Sequence, residues 1–294
     1  MFLLRTVRMK EQTTYIDLHS HSVYSDGSDS PESLVRAMHM VGADAMALTD
    51  HDTTEGYTRA KAEADRYGFR IIPGVEISTT HYHILGLGID VEHAGLQALL
   101  KRIQIEQEKQ CQKRIDLLAA QGIPITYEKL KNGQEHARLG KWNVVMAMYH
   151  DPACRAYLTE KWGKLPPPRE GFEYLVGRNG LVAHVEHDED VHSKEAIETI
   201  HAAGGIAIVA HPFKQVKDFE KEMASLVRKG IDGLEIQPNY GTKNDPFRAY
   251  AEKHGLMMTY GSDFHGAGYD RPLLGRGKQN ALTNLDEMLA KWRN

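Results

Sequence analysis

Cysteine is nearly absent from this chain: among 294 residues only Cys111 and Cys154 occur. Two thiols so far apart form neither a disulfide framework nor a CxxC zinc site, which makes a reducing, cytoplasmic compartment the expectation. Long apolar runs are missing as well. Residues 1–4 are apolar, but Arg5, Arg8 and Lys10 interrupt them, and no stretch of about 18 apolar residues follows, so neither a signal peptide nor a membrane span is expected. Nor is there an excess of positive charge. Lys and Arg number 36 against 40 Asp and Glu, a net charge of −4, which provides no extended cationic track for a nucleic-acid backbone. Motifs of the GxGxxG, GxxxxGKS/T and GxSxG kinds do not occur, so dinucleotide-dependent, P-loop and serine-hydrolase chemistries have no support.

What remains is an ordinary globular composition, 41% hydrophobic and 26% charged, in a chain long enough to bury about three quarters of its unfolded surface. Short apolar runs alternate with amphipathic stretches, the pattern of a βα protein with a mainly parallel sheet. Strands are expected at 14–18, 44–48, 70–72, 82–89, 206–210, 233–236 and 256–260. Helices are expected at 31–41, 54–67, 93–120, 194–203, 219–229, 245–254 and 285–292, several stopped by a glycine. Between residues 89 and 206 no βα unit is legible, and the segment reads as a helical insertion. Such an excursion commonly covers the mouth of a barrel, where loops meet substrate.

Histidine is the abundant residue, 16 against 7 Phe, and its placement matters more than its number. His19 and His21 follow the first strand-like run, Asp50 and His51 the second, and Glu76 the third. His211 follows the fifth run, Asp263 and His265 follow the last, Asp26 comes shortly after the first HxH pair, and His83 lies inside the fourth. In parallel βα proteins the C-terminal strand ends gather on one face, where the active site is built. Residues i and i+2 of an extended chain also project to one side, which pairs His19 with His21 and Asp263 with His265. A single HxH is a weak signal; ligand-type residues at successive strand ends point to a metal site. Imidazole and carboxylate donors without thiolate suit Mn, Fe or Zn ions rather than calcium.

The motifs IDLHSHSVYSDG (16–27), LTDHDT (48–53), PGVEIS (73–78), HILG (83–86), GGIAIVAHP (204–212) and GSDFHG (261–266) resemble, in order, those of the polymerase and histidinol phosphatase (PHP) family of metal-dependent phosphoesterases. The inserted segment makes the chain most similar to the stand-alone TrpH-like branch. The resemblance implies a distorted (β/α)7 barrel with a helical insertion over its C-terminal mouth, the barrel being residues 12–90 and 200–294 and the insertion 91–199. It also implies two to three divalent ions. One would be held by His19, His21, Glu76 and Asp263, a second by Glu76, His83 and His211, and a third by Asp26, His51 and His265. His51, His211 and Asp263 would then position the attacking water, while Asp17 and Asp50, beside the ligand histidines, would either orient imidazole rings from behind or cap the strand-end turns.

The expected activity is hydrolysis of phosphate monoesters of nucleotides or other small phosphorylated metabolites. A phosphodiesterase on cyclic phosphates or a 5′-3′ exoribonuclease is the alternative, and a non-catalytic metal-binding accessory module is the rival outside enzymology. Nucleic acid enters only as a substrate. For phosphate contacts the sequence offers Lys141 in LGKWNV (139–144), Lys214 after His211, and Arg114 and Arg138. Trp142 has two readings, a base-stacking ring or a core residue.

Overall fold

The computed structural model describes residues 15–132, 139–185 and 191–266. Seven strands lie in sequence order in one sheet: β1 (Ile16–Asp17), β2 (Ala45–Leu48), β3 (Arg70–Ser78), β4 (His83–Leu87), β5 (Ile206–Val209), β6 (Gly233–Glu235) and β7 (Met257–Thr259). The chain beyond β7 returns to β1. Leu18 N donates to Tyr260 O at 2.9 Å, and Ser20 bridges Phe264, so the sheet curls round towards closure as a distorted seven-stranded (β/α) barrel. Its interior is filled by alternate strand residues, among them Leu18, Ala47, Ile72, Leu85 and Ile208, as the two-residue period of a strand requires.

The sheet is mainly parallel, as the pattern leads one to expect, with one strand reversed. β4 runs antiparallel to both β3 and β5, while the remaining pairs are parallel. No helix separates β3 from β4, so the chain turns back at once. The reversal places His83, the first residue of β4, at the mouth where the other strands end. β3 is also longer than expected. Pro73 and Gly74 look like a stop, yet Pro73 pairs with Leu48 of β2, its carbonyl accepts from Gly88 N, and the strand runs on through Glu76.

Outside the sheet, α1 (Pro31–Met40) and α2 (Tyr57–Arg66) pack on each other and on the first strands. Ser30 caps α1 by accepting from Ser33 N, with Pro31 in the first turn. The helix expected at 285–292 lies outside the described residues.

The long helix α3 (Ala94–Ala120) joins two cores. Leu96, Leu100 and Ile103 pack on the barrel, whereas Cys111, Ile115 and Leu118 belong to a separate core that extends to Val182. That second core also takes in α4 (Tyr127–Lys131), α5 (Lys141–His150), α6 (Pro152–Trp162) and α7 (Pro168–Leu175). The self-contained part of the insertion is thus narrower than 91–199. α8 (Ser193–Ala202) buries Ile197 and Ile200 against the barrel instead. Asn143 ties the insertion to the mouth: its amide donates to Ser25 O at 3.1 Å, one residue before Asp26.

Candidate metal centre

Nine ligand-type side chains arrive at the mouth from separate strand ends, eight of them buried and His83 partly exposed. His19 and His21 extend from β1, with Nε2 atoms 3.0 Å apart. His51 is brought beside Glu76 because the chain after β2 continues along β3: Glu76 N donates to Asp50 O and Asp52 N to Glu76 O. Glu76 is the hub. Its Oε2 lies 3.1 Å from His19 Nε2 and 3.2 Å from both His21 Nε2 and His51 Nδ1. Its Oε1 lies 3.0 Å from His83 Nδ1 and His211 Nε2.

On one flank Asp263 Oδ1 stands 3.5 Å from His19 Nε2 and 3.6 Å from His21 Nε2. On the other, Asp26 Oδ1 stands 3.2 Å from His265 Nε2. The backbone bends sharply to reach these positions. His211 (φ 30°) and Asp263 (φ 55°) both adopt the left-handed region that side chains other than glycine seldom occupy. Gly261 serves a close approach, since a Cβ there would meet His19 Cβ at 2.2 Å and Glu235 Oε1 at 2.6 Å.

These contacts form three donor groups whose ligand atoms lie within 4.8 Å of one another: His21 with Asp26, His51 and His265; His19 with Glu76, His211 and Asp263; and His51 with Glu76 and His83. The grouping implied by the resemblance differs in three places: His21 stands with Asp26, His51 and His265, His211 joins His19, Glu76 and Asp263, and His51 belongs to two groups.

Two observations show that the donor set fits cations. Ring nitrogens of His19 and His21 face each other at hydrogen-bond distance inside a ring of carboxylates, and Asp26 Oδ1 is buried without a well-formed hydrogen bond. The electrostatics agree. Burial would push the Glu76 carboxyl up, but His51, His19 and His83 hold it well below the usual range. Asp26 is likewise held down, against burial, by His265 and His51. Burial opposes charge on His19, yet Glu235, Glu76 and Asp263 raise its pKa well above 6.5, while hydrogen bonds to Asp263 and Glu76 raise His21 to about 9. The pocket is built for positive charge.

Asp17 and Asp50 take the second of their two expected roles. Asp17 accepts from the backbone N of His19 at 3.3 Å and of Ser262 at 2.9 Å. Asp50 accepts from Ser22 N, Ser22 Oγ and Ser25 Oγ, each at 2.7 Å. Both carboxylates pin strand-end loops, and Asp50 stands one hydroxyl away from a ring, since Ser25 Oγ, which donates to it, lies 3.5 Å from His21 Nδ1. The residue that does hold a ring is Glu235, the last of β6. Its Oε1 lies 2.8 Å from His19 Nδ1 and its Oε2 accepts from His211 N at 2.7 Å. A glutamate within the apolar run 233–236 was the available signal, at the same strand-end position as the ligands.

Of the expected phosphate contacts, Lys141 and Arg114 line a cavity of about 760 Å³ whose wall also includes Asp26, His51 and His83. Burial and the neighbouring Arg114 charge lower the Lys141 pKa. Its ammonium touches the Ala183 carbonyl at 3.3 Å, and among the described residues no carboxylate pairs with it. Lys214 instead contacts Asp263 Oδ2 at 2.9 Å. Arg138 lies outside the described residues.

Comparison with known proteins agrees with this geometry. Residues 17–146 match the PHP domain. The chain is 36% identical over 263 residues to a 5′-3′ exoribonuclease of Haemophilus influenzae, covering 86% of this chain and 90% of that protein. It is 30% identical to the phosphoribosyl 1,2-cyclic phosphate 1,2-diphosphodiesterase of Eggerthella lenta (85% and 94% covered) and 30% identical to the 3′,5′-nucleoside bisphosphate phosphatase of Chromobacterium violaceum (86% and 88% covered). A solved structure from Bifidobacterium adolescentis shares the fold, with a TM-score of 0.78 at 22% identity and 96% of each chain covered. The chain belongs to the PHP family, and it is a metal-dependent hydrolase of phosphoester bonds. No helix among the described residues is long and apolar enough to cross a membrane.

Proposed function

We propose that this protein hydrolyses phosphate monoesters of nucleotides or similar small phosphorylated metabolites, with two to three Mn, Fe or Zn ions held by His19, His21, Asp26, His51, Glu76, His83, His211, Asp263 and His265. The observation that carries this reading is the cavity of about 760 Å³, which runs from Asp26, His51 and His83 to the insertion residues Arg114 and Lys141. Its size lies within the range of small-molecule sites, roughly 300–1,000 Å³. Bound divalent ions supply Lewis acidity to the phosphoryl oxygens and bring the pKa of water to about 7.

The side chains of the chain itself do the positioning. Glu235 accepts from His19 Nδ1 and so leaves the Nε2 lone pair facing the cluster. Glu76 spreads its two oxygens between the His19 and His83 sides. His51, His211 and Asp263 would position the attacking water. Lys141 and Arg114 offer positive charge at a distance from the cluster, suited to a second anionic group on the substrate. The Lys214 ammonium lies 2.9 Å from Asp263 Oδ2 and offsets its charge.

A second reading, 5′-3′ exoribonuclease activity, is favoured by the likeness to the Haemophilus protein. The two readings separate on substrate length and salt. With Mn²⁺-loaded protein, kcat/KM for a nucleoside monophosphate or bisphosphate is expected to exceed that for a 5′-phosphorylated RNA oligomer, with little change between 50 and 200 mM salt. A strong oligomer preference with a steep salt decline would favour the exonuclease. Turnover of bis-p-nitrophenyl phosphate above p-nitrophenyl phosphate would favour a diesterase, and no turnover at all would favour an accessory module.

A further inference from the structure

Two helices, α3 and α5, reach the barrel mouth beside ligands of one donor group. Asn143, buried in the first turn of α5, uses both ends of its amide. Its Oδ1 accepts from Gly140 N at 2.8 Å, and its Nδ2 donates to Ser25 O at 3.1 Å, one residue before Asp26. Gln104 and Gln107, three residues apart and so on one face of α3, reach Asp52, the residue after His51. Gln104 Nε2 donates to the Asp52 carbonyl at 2.7 Å and Gln107 Nε2 to Asp52 Oδ2 at 2.8 Å. The φ of Asp52 is 52°, in the left-handed region, where a residue with a side chain persists only if its surroundings fix it. Ser78 adds two bonds to the same carboxylate, and Asp52 N donates to Glu76 O.

The two loops are joined to each other, since Ser25 Oγ donates to Asp50 Oδ1 at 2.7 Å. The two helices are joined as well, through Cys111, Ile115, Val144 and Met148 of the insertion core. A closed circuit thus runs from α5 to the Asp26 loop, across to the His51 loop and back along α3. Asp26 and His51 are two of the four donors grouped with His21 and His265. The group of His19, Glu76, His211 and Asp263 has a brace inside the barrel, where Glu235 holds the His19 ring and the backbone of His211. Residues that fix ligands from outside set metal affinity nearly as strongly as the ligands do. We propose that Asn143, Gln104 and Gln107 are positioning residues for an ion held by His21, Asp26, His51 and His265, so that affinity at this one position depends on the helices of the insertion. This rests on the reading of the donor groups as ion positions given above.

The test is Mn²⁺ titration of the chelated full chain, with free ion followed by electron paramagnetic resonance. Asn143→Asp keeps the acceptor for Gly140 N but sets an oxygen against Ser25 O, and Gln107→Glu sets a carboxylate against that of Asp52. Each variant is expected to weaken at least one Mn²⁺ by about tenfold or more, while at least one other stays within about twofold of wild type. Asp26→Asn identifies the position: in that background Asn143→Asp should change the remaining affinities less than about twofold, because both substitutions act on the same ion. Circular dichroism establishes folding, and the two variants, on different helices, decide independently. The inference is overturned if folded variants bind every ion as wild type does, if all ions weaken alike, or if Asn143→Asp weakens a further ion in the Asp26→Asn background. Wild type binding no Mn²⁺ would instead overturn the ion positions themselves, and this inference with them.

Discussion

Glu235 Oε1 lies 2.8 Å from His19 Nδ1, and both side chains are fully buried. The same carboxylate accepts from the backbone N of His211 through its other oxygen. One residue at the end of β6 thereby fixes a ring on β1 and the turn after β5. Removing a group that orients a metal-binding histidine commonly costs 10–100-fold. Glu235→Ala should lower Mn²⁺ affinity and kcat by about that factor, and Glu235→Gln less, because the amide oxygen still accepts from His19 Nδ1. Metal titration followed by turnover of p-nitrophenyl phosphate measures both; unchanged affinity in Glu235→Ala would remove it from this role.

Substitution of the proposed ligands should cost more. His19→Ala, Glu76→Gln, Asp263→Asn and His265→Ala are each expected to reduce kcat by about 10²-fold or more, since they remove donors directly rather than through a neighbour. Circular dichroism establishes which variants fold. Near wild-type turnover in folded Asp263→Asn would take that residue out of the assignment.

Lys141 should act through substrate affinity. Lys141→Ala is expected to raise KM for a nucleoside bisphosphate by roughly tenfold and for the corresponding monophosphate much less, with kcat nearly constant, as for loss of a binding contact common to ground and transition states. Steady-state kinetics on the two substrates decides it. Equal changes in both KM values would place the ammonium elsewhere.

The pH dependence follows from the imidazoles. His21 is raised to about 9 by hydrogen bonds to Asp263 and Glu76, so without metal it carries its proton at pH 7, and Glu235, Glu76 and Asp263 shift the His19 ring in the same direction. Metal ligation requires neutral rings, and loading at pH 7 should release protons and tighten as pH rises. Stability has the opposite sign in the chelated protein. A raised imidazole pKa contributes stability that is complete below about pH 6.5 and is lost as pH rises through the folded value, so Tm of chelated protein should fall between pH 7 and about 9.5. Calorimetry in buffers of different ionisation enthalpy measures the release, and no release would contradict the proton assignment.

Much of this site was legible because its ligands share one rule, a His, Asp or Glu just past a strand. His19, His21, His51, His211, Asp263 and His265 obey it. Glu76 and His83 were found, but their settings were misread: Pro73 hides the continuation of β3, and only the reversal of β4 explains how His83 reaches the mouth. Glu235 escaped notice since a lone glutamate in an apolar run carries no motif, and its partners lie 216 and 24 residues away. Asp17 and Asp50 stand close to ligand histidines in sequence, but their carboxylates are taken up by backbone N–H and serine hydroxyl donors of the strand-end loops, pairings that the local sequence does not show. The shape of the insertion depends on long-range packing, which no local pattern encodes.

The most direct measurement is metal content against turnover in one preparation. Chelated protein should show no hydrolysis of p-nitrophenyl phosphate, and activity should rise with added Mn²⁺ until elemental analysis finds two to three ions per chain. Full activity with fewer than one ion per chain would contradict the account at its centre.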